Sequence, residues 1–244
     1  MSHLADHRRS VTMSRYLIPI LTLSVTVPAL GQTSADETEQ FFGPGDVLAV
    51  AAAGLLMTVP SVLQIHYLPV ECVPCDPSAV PFFDRWAISP TRYGAATASD
   101  VLRAGVATLS WLDLADEGPS GYAGIVASFQ SMLWAESGVH VIKAIVNRNR
   151  PVLYTEDGVA VAARVSNHRS WPSGHAATAA ALATSYFLTR SMQGKKDWRV
   201  WAFFAGAVGV GALRVAAAKH FPSDVVSGFA VGAASAIVVH AIKF

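Results

Sequence analysis

Apolar runs rich in Ala and Gly alternate with short polar breaks along most of this chain, and none shows the strict alternation of a half-buried strand. The pattern predicts six helices, over about residues 47–65, 99–114, 122–146, 172–188, 197–217 and 223–242. Asp46 stands where a cap would open the first helix, and Pro60 inside it predicts a kink. Ser99 or Asp100 is the expected cap of the second, which breaks at Gly118-Pro119; Gly194-Lys195-Lys196 marks the turn between the fourth and fifth. Residues 66–91 are irregular and rich in Pro. Within them Phe82-Phe83-Asp84-Arg85-Trp86 reads either as a packed loop or as an amphipathic lid or interfacial patch. The fold expected from this layout is an all-α six-helix bundle.

Ahead of the bundle, His7, Arg8, Arg9 and Arg15 precede an apolar run over 16–30 that ends at Gly31-Gln32. This is the layout of a secretory signal peptide over residues 1–31, cleaved before Gln32. Pro19, Pro28 and the short run weigh against an uncleaved spanning anchor. Residues 32–46 then read as a linker and 47–244 as the helical domain. Cys72 and Cys75 have no second pair to complete four zinc ligands, which leaves a local disulfide or two inert thiols in an exported loop.

Composition changes the picture in one respect. Only 14% of residues are charged, where a soluble domain has roughly 25%, which points to a membrane or a deeply buried bundle. The balance of 18 Lys+Arg against 17 Asp+Glu excludes any global case for nucleic acid, so a preference for anions must come from local clustering. Residues 47–65 and 225–242 approach the ~20 apolar residues of a span, while 176–188 and 200–213 read as core helices. Arg190, Lys195, Lys196 and Arg199 make the loop between the fourth and fifth helices look cytoplasmic, which places the opposite helix ends outside. A cleaved leader followed by three full spans before Lys143 would put the site inside. One premise therefore fails: the leader is retained without spanning, an early helix is not a span, or the bundle is soluble. Membrane association is the expectation.

Three blocks carry the candidate chemistry. Pro172 suits the first helical position, while Ser173 and Gly174 present a hydroxyl and free N–H groups at a positive helix end, beside His175. His220 and Asp224 are four apart, with Pro222 between them to start the last helix. The carboxylate is thus expected to accept from Nδ1 and leave Nε2 free to attack. Arg214 offers a planar fork for two phosphoryl oxygens, and Lys143 and Arg150 add a basic clamp. Arg150, preceding Pro151, is expected to be extended. Glu136 and His140 share a face with Lys143 and read mainly as satisfied inner-face polar groups. So many cations around two histidines suit a multiply charged anion, and phosphate is the natural one.

These blocks, Lys143 with six residues before Arg150-Pro151, then Pro172-Ser173-Gly174-His175, then Arg214 with five residues before His220 and three before Asp224, resemble the type 2 phosphatidic acid phosphatase and vanadium haloperoxidase superfamily. The resemblance covers a signature core of residues 123–244; Leu213 stands where the third block usually has Ser. It implies a phosphatase acting on phosphate monoesters or diphosphates of a lipid or small phosphoester, outside the cytoplasmic membrane and without a metal cofactor. His220 would be the nucleophile forming a phosphohistidine, Asp224 its orienting carboxylate, and His175 the acid and then base. Lys143, Arg150, Ser173, Gly174 and Arg214 would bind the phosphoryl oxygens. The alternatives are a soluble periplasmic nonspecific phosphatase, a haloperoxidase in which His220 ligates vanadate, and an idle binding protein that keeps the pocket.

Overall fold

Helical periodicity and the positions of Gly and Pro account for what the computed structural model describes, which is residues 42–62, 72–195 and 198–244. The helices are α1 (Pro44–Val62), α2 (Tyr93–Ala115), α3 (Pro119–Val146), the single turn α4 (Gly158–Val161), α5 (Gly174–Met192), α6 (Trp198–Ala216) and α7 (Pro222–Lys243). No strand occurs among the described residues, and the six long helices form the expected all-α bundle. The signal peptide, its cleavage point and residues 63–65 of the first expected helix lie outside the described residues.

Several helix starts differ from expectation, each for a local reason. α1 begins at Pro44, so Asp46 lies inside its first turn. There Asp46 accepts from Gly43 N at 2.8 Å, Gln130 Nε2 at 2.7 Å and Lys243 Nζ at 2.6 Å, tying the start of α1 to α3 and α7. α2 begins at Tyr93, because Gly94 to Ala98 are small residues that continue the helix. Ser99 is consequently internal and fully buried. α3 starts at Pro119 directly after Gly118, whose φ of +64° breaks the chain as glycine permits.

α5 is the central column, packed against α2, α3, α6 and α7, and every residue from Ala176 to Tyr186 is buried. Its Ala-rich sequence follows from that position, since a column enclosed on all sides leaves little room for side chains. Closest approach is on α7, where Gly228 and Gly232 are spaced as in a small-xxx-small helix contact. A Cβ on Gly228 would lie 2.5 Å from Ser173 O, and one on Gly232 2.0 Å from Ala177 O.

Two helices, Trp198–Ala216 and Pro222–Lys243, are long and apolar enough to cross a membrane. The first corrects the expectation of a short core helix over 200–213. Its 19 residues extend about 28 Å, close to the ~30 Å of a bilayer core. Trp201 and Val208 on α6 and Val226 and Ile242 on α7 all face outward. At one end of α6 stand exposed Trp198 and Trp201; around the other stand Phe82, Phe83, Trp86 and Tyr93, also exposed.

The basic turn after α5 is largely paired. Arg190 binds Glu117 at 2.6 Å, Lys195 also meets Glu117, and Arg199 lies 3.0 Å from Asp113. Cys72 and Cys75 form a disulfide, which settles the choice left open between bridge and free thiols. In the Phe82–Trp86 stretch Asp84 is fully buried while Phe82, Phe83 and Trp86 are exposed.

Candidate active site

Three segments far apart in sequence meet at one end of α5. Ser173 is the N-cap, in extended conformation, and its Oγ accepts from Ala176 N at 3.4 Å. Pro172 is therefore two positions before the first helical residue rather than in it, and Trp171–Pro172 is a cis peptide. The Ser173 N–H donates to Asp224 O at 2.8 Å, joining this turn to the start of α7. In the first turn, His175 places Nε2 at 2.6 Å from Asp100 Oδ1, a carboxylate that also lies 3.6 Å from Arg214. Arg214, in the last turn of α6, donates to Ser99 Oγ at 3.1 Å, so it has a hydroxyl partner although Leu213 is not Ser.

Pro222 opens α7 as expected, with His220 two residues ahead of it and only 1% exposed. Asp224 does approach the imidazole, but its Oδ2 stops 3.6 Å from His220 Nδ1, beyond hydrogen-bond distance. The expected bond is thus not formed. At the third position of α7 the carboxylate folds back on its own helix start, where Oδ2 accepts from Phe221 N at 2.8 Å and Ser170 Oγ at 2.5 Å. Oδ1 takes Arg148 Nη1 at 2.5 Å. His220 Nδ1 is buried and without a partner among the described residues.

Lys143 is in the last turn of α3, which Asn147 ends in left-handed conformation. Arg150 has φ −75° and ψ 157°, the extended geometry expected before Pro151. Burial, followed by Arg214, pushes the Arg150 pKa down to about 10. Arg150 Nε and Arg214 Nε are buried without hydrogen-bond partners among the described residues. Around His220 the positive charge of Arg150, Lys143 and Arg214 adds to full burial, and its pKa falls well below the ordinary value. His175 is pushed down to about 4, by burial first and then by Arg214 and Arg103, with Asp100 opposing. Lys143, Arg150, Arg214 and His175 all act electrostatically on His220 at this end of the bundle. Gly174 leaves the cradle open on the α3 side, where its missing Cβ would lie 3.1 Å from Glu136 Oε2. Glu136 is less satisfied than its spacing suggested, since Oε2 is buried without a partner. His140 is half exposed, its Nδ1 3.0 Å from Glu136 O.

Sequence reasoning missed Arg148, Asp84, Asp100 and Ser170. Arg148 lies two residues before a clamp arginine, and Asp84 sits in a stretch singled out only for its aromatics. A cavity of about 760 Å³ lined by Asp46, Trp134, Val231 and Ile242 lies between α1, α3 and α7, apart from all these groups. No cluster of three metal-binding side chains occurs among the described residues.

Residues 124–244 match the family described as the PAP2 superfamily. Among curated proteins the chain is 35% identical over 97 residues to "Lipid A 1-phosphatase" of Rhizobium johnstonii, covering 38% of this chain and 37% of the relative. It is 31% identical over 107 residues to the protein of the same name from Rhizobium etli, covering 43% and 44% respectively. The matched part thus spans less than half the length of either relative. No solved structure matches.

Proposed function

This chain belongs to the PAP2 superfamily, and from that membership we propose that it is a lipid phosphatase that works through a phosphohistidine at the outer face of a membrane. The observation that carries the reading is the convergence of Lys143, Arg150, Arg214 and His175 on the buried imidazole of His220. Nε2 of His220 attacks phosphorus, and the bond from phosphorus to the leaving oxygen breaks as His175 protonates that oxygen. His175, now neutral, then takes a proton from water, which attacks the phosphohistidine and releases inorganic phosphate with His220 restored. Lys143, Arg150, Arg214, the Ser173 hydroxyl and the Gly174 N–H hold the equatorial oxygens, where charge spreads in the transition state. These groups supply the positive charge that a metal ion would otherwise bring.

A lipid substrate is supported by the outward apolar faces of α6 and α7 and by the exposed Phe82, Phe83 and Trp86 on the site end. The named activity of the relatives makes lipid A the first substrate to try. An outer placement of the site is supported by Arg190, Lys195 and Arg199 at the far end, because lysines and arginines mark the cytoplasmic side even when paired. The test is phosphate release by the purified full chain from lipid A, phosphatidic acid, a polyprenyl diphosphate and a water-soluble aryl phosphate, with and without EDTA. A lipid phosphate is expected to be preferred by about tenfold or more in kcat/KM, with EDTA changing the rate less than about twofold. Preference for the aryl phosphate would point to a nonspecific enzyme, and loss of activity in EDTA would end the metal-free scheme.

Acidity should favour the reaction. His220 stays neutral at acid pH because its pKa is depressed, while the protonated form of His175 grows as pH falls towards about 4. The expected result is a higher kcat/KM at pH 5 than at pH 8; a flat profile across that range would contradict these roles.

A further inference from the structure

Behind Asp224 lies a buried ionic array that the reaction scheme above does not use. Arg148 Nη1 donates to Asp224 Oδ1 at 2.5 Å and Arg148 Nη2 to Asp84 Oδ2 at 2.7 Å, so one guanidinium bridges two carboxylates that are both fully buried. Its flat face lies 4.4 Å from the ring of Phe221, the residue between His220 and Pro222. Asp84 in turn accepts from Ser223 N at 3.0 Å and Ser223 Oγ at 2.5 Å, satisfying a free N–H in the first turn of α7 from 139 residues away in sequence. Arg148 also donates to Ser223 Oγ at 2.7 Å.

We propose that Arg148 and Asp84 are positioning residues: Asp84 anchors Arg148, and Arg148 holds the carboxylate of Asp224 ionised and in place beside His220, with Oδ2 3.6 Å from Nδ1. The inference rests on the reading of His220 as nucleophile and Asp224 as its orienting group. Its physical basis is charge and shape together. Two buried carboxylates without a shared cation would repel one another, and a carboxyl that takes up a proton no longer attracts the proton of the neighbouring imidazole electrostatically. A planar fork meets both acids at once, whereas an ammonium at the end of a flexible stem does not. Oδ2, already holding Ser170 and Phe221 N, has its direction fixed by what Oδ1 binds. The same array fastens the exposed aromatic stretch around Asp84 to the catalytic end of α7.

The test uses the full chain in detergent or nanodiscs with Arg148→Gln, Arg148→Lys, Asp84→Asn and the double variant Arg148→Gln/Asp84→Asn. On whichever substrate the wild type hydrolyses, kcat is expected to fall about 10–100-fold with KM within about twofold. Arg148→Lys should rescue little, and the double variant should be no worse than Arg148→Gln alone. Nitrogen-15 histidine NMR, assigned by loss of the His220 signal in His220→Gln, reads the tautomer without turnover. The wild type should carry its proton on Nδ1, and Asp84→Asn, which keeps the size of the side chain, should shift that population. An unchanged tautomer, kcat within about twofold of wild type, multiplying effects in the double variant, or a rise in KM alone would each overturn the proposal. A wild type without phosphatase activity would instead defeat the functional reading, with the NMR arm still deciding the positioning role.

Discussion

Replacing His220 with Ala is expected to lower phosphate release by about 10⁴-fold or more, the scale seen when a nucleophile that forms a covalent intermediate is removed. The imidazole sits 1% exposed, with Arg150, Lys143 and Arg214 acting on it electrostatically, and in the proposed scheme it is the group that attacks phosphorus. His175→Ala should cost less, about 10²- to 10⁴-fold, because water or a leaving group of low basicity partly substitutes for a general acid. The distinction is measurable with an aryl phosphate whose leaving group needs little protonation. His175→Ala should recover on that substrate while His220→Ala does not. Retention of more than about a tenth of the wild-type rate in His220→Ala would remove the phosphohistidine from the scheme.

Gly232→Leu is expected to abolish folded protein. Even a single Cβ there would lie 2.0 Å from Ala177 O, a backbone atom that moves only if α5 and α7 separate. Overpacking commonly costs about 1–3 kcal/mol, and separation of two central helices lies at or beyond the upper end of that range. Gly138→Ala is the control, since its Cβ would meet only Val231 at 3.9 Å, an ordinary contact. Size-exclusion profile and Tm in matched detergent should show collapse for the first variant and a change of no more than a few degrees for the second. Normal folding of Gly232→Leu would show that the two helices pack less closely than described.

The helical class and the six long elements were legible because each depends on local signals, apolar periodicity and Pro at a helix start, whereas a meeting of the three blocks was expected from their shared preference for an anion and from the family resemblance. Helix starts were less legible. Tyr93 to Ala98 carry no cap, and the helix continues through them by propensity alone. α5 starts at Gly174 rather than at Pro172 because Ser173 takes the cap. Orientation within the site was hidden for a different reason. A spacing of four places Asp224 near His220, but which donors its oxygens accept depends on Arg148 and Ser170, 76 and 54 positions away. Asp84 and Asp100 were invisible as site residues because each is an isolated acid whose importance arises only from the packing of its own segment against α5, α6 or α7.

Asp100 has a consequence for turnover. Its carboxylate sits 2.6 Å from His175, the proposed general acid, and 3.6 Å from Arg214, one of the proposed phosphoryl ligands. In the proposed scheme an arriving substrate displaces an internal competitor, which weakens binding of every phosphate, including the product. Inorganic phosphate, lacking the lipid portion that would offset this displacement, is the species most readily evicted as Asp100 swings back. A tethered acid of this kind gives up affinity in exchange for a site that clears itself.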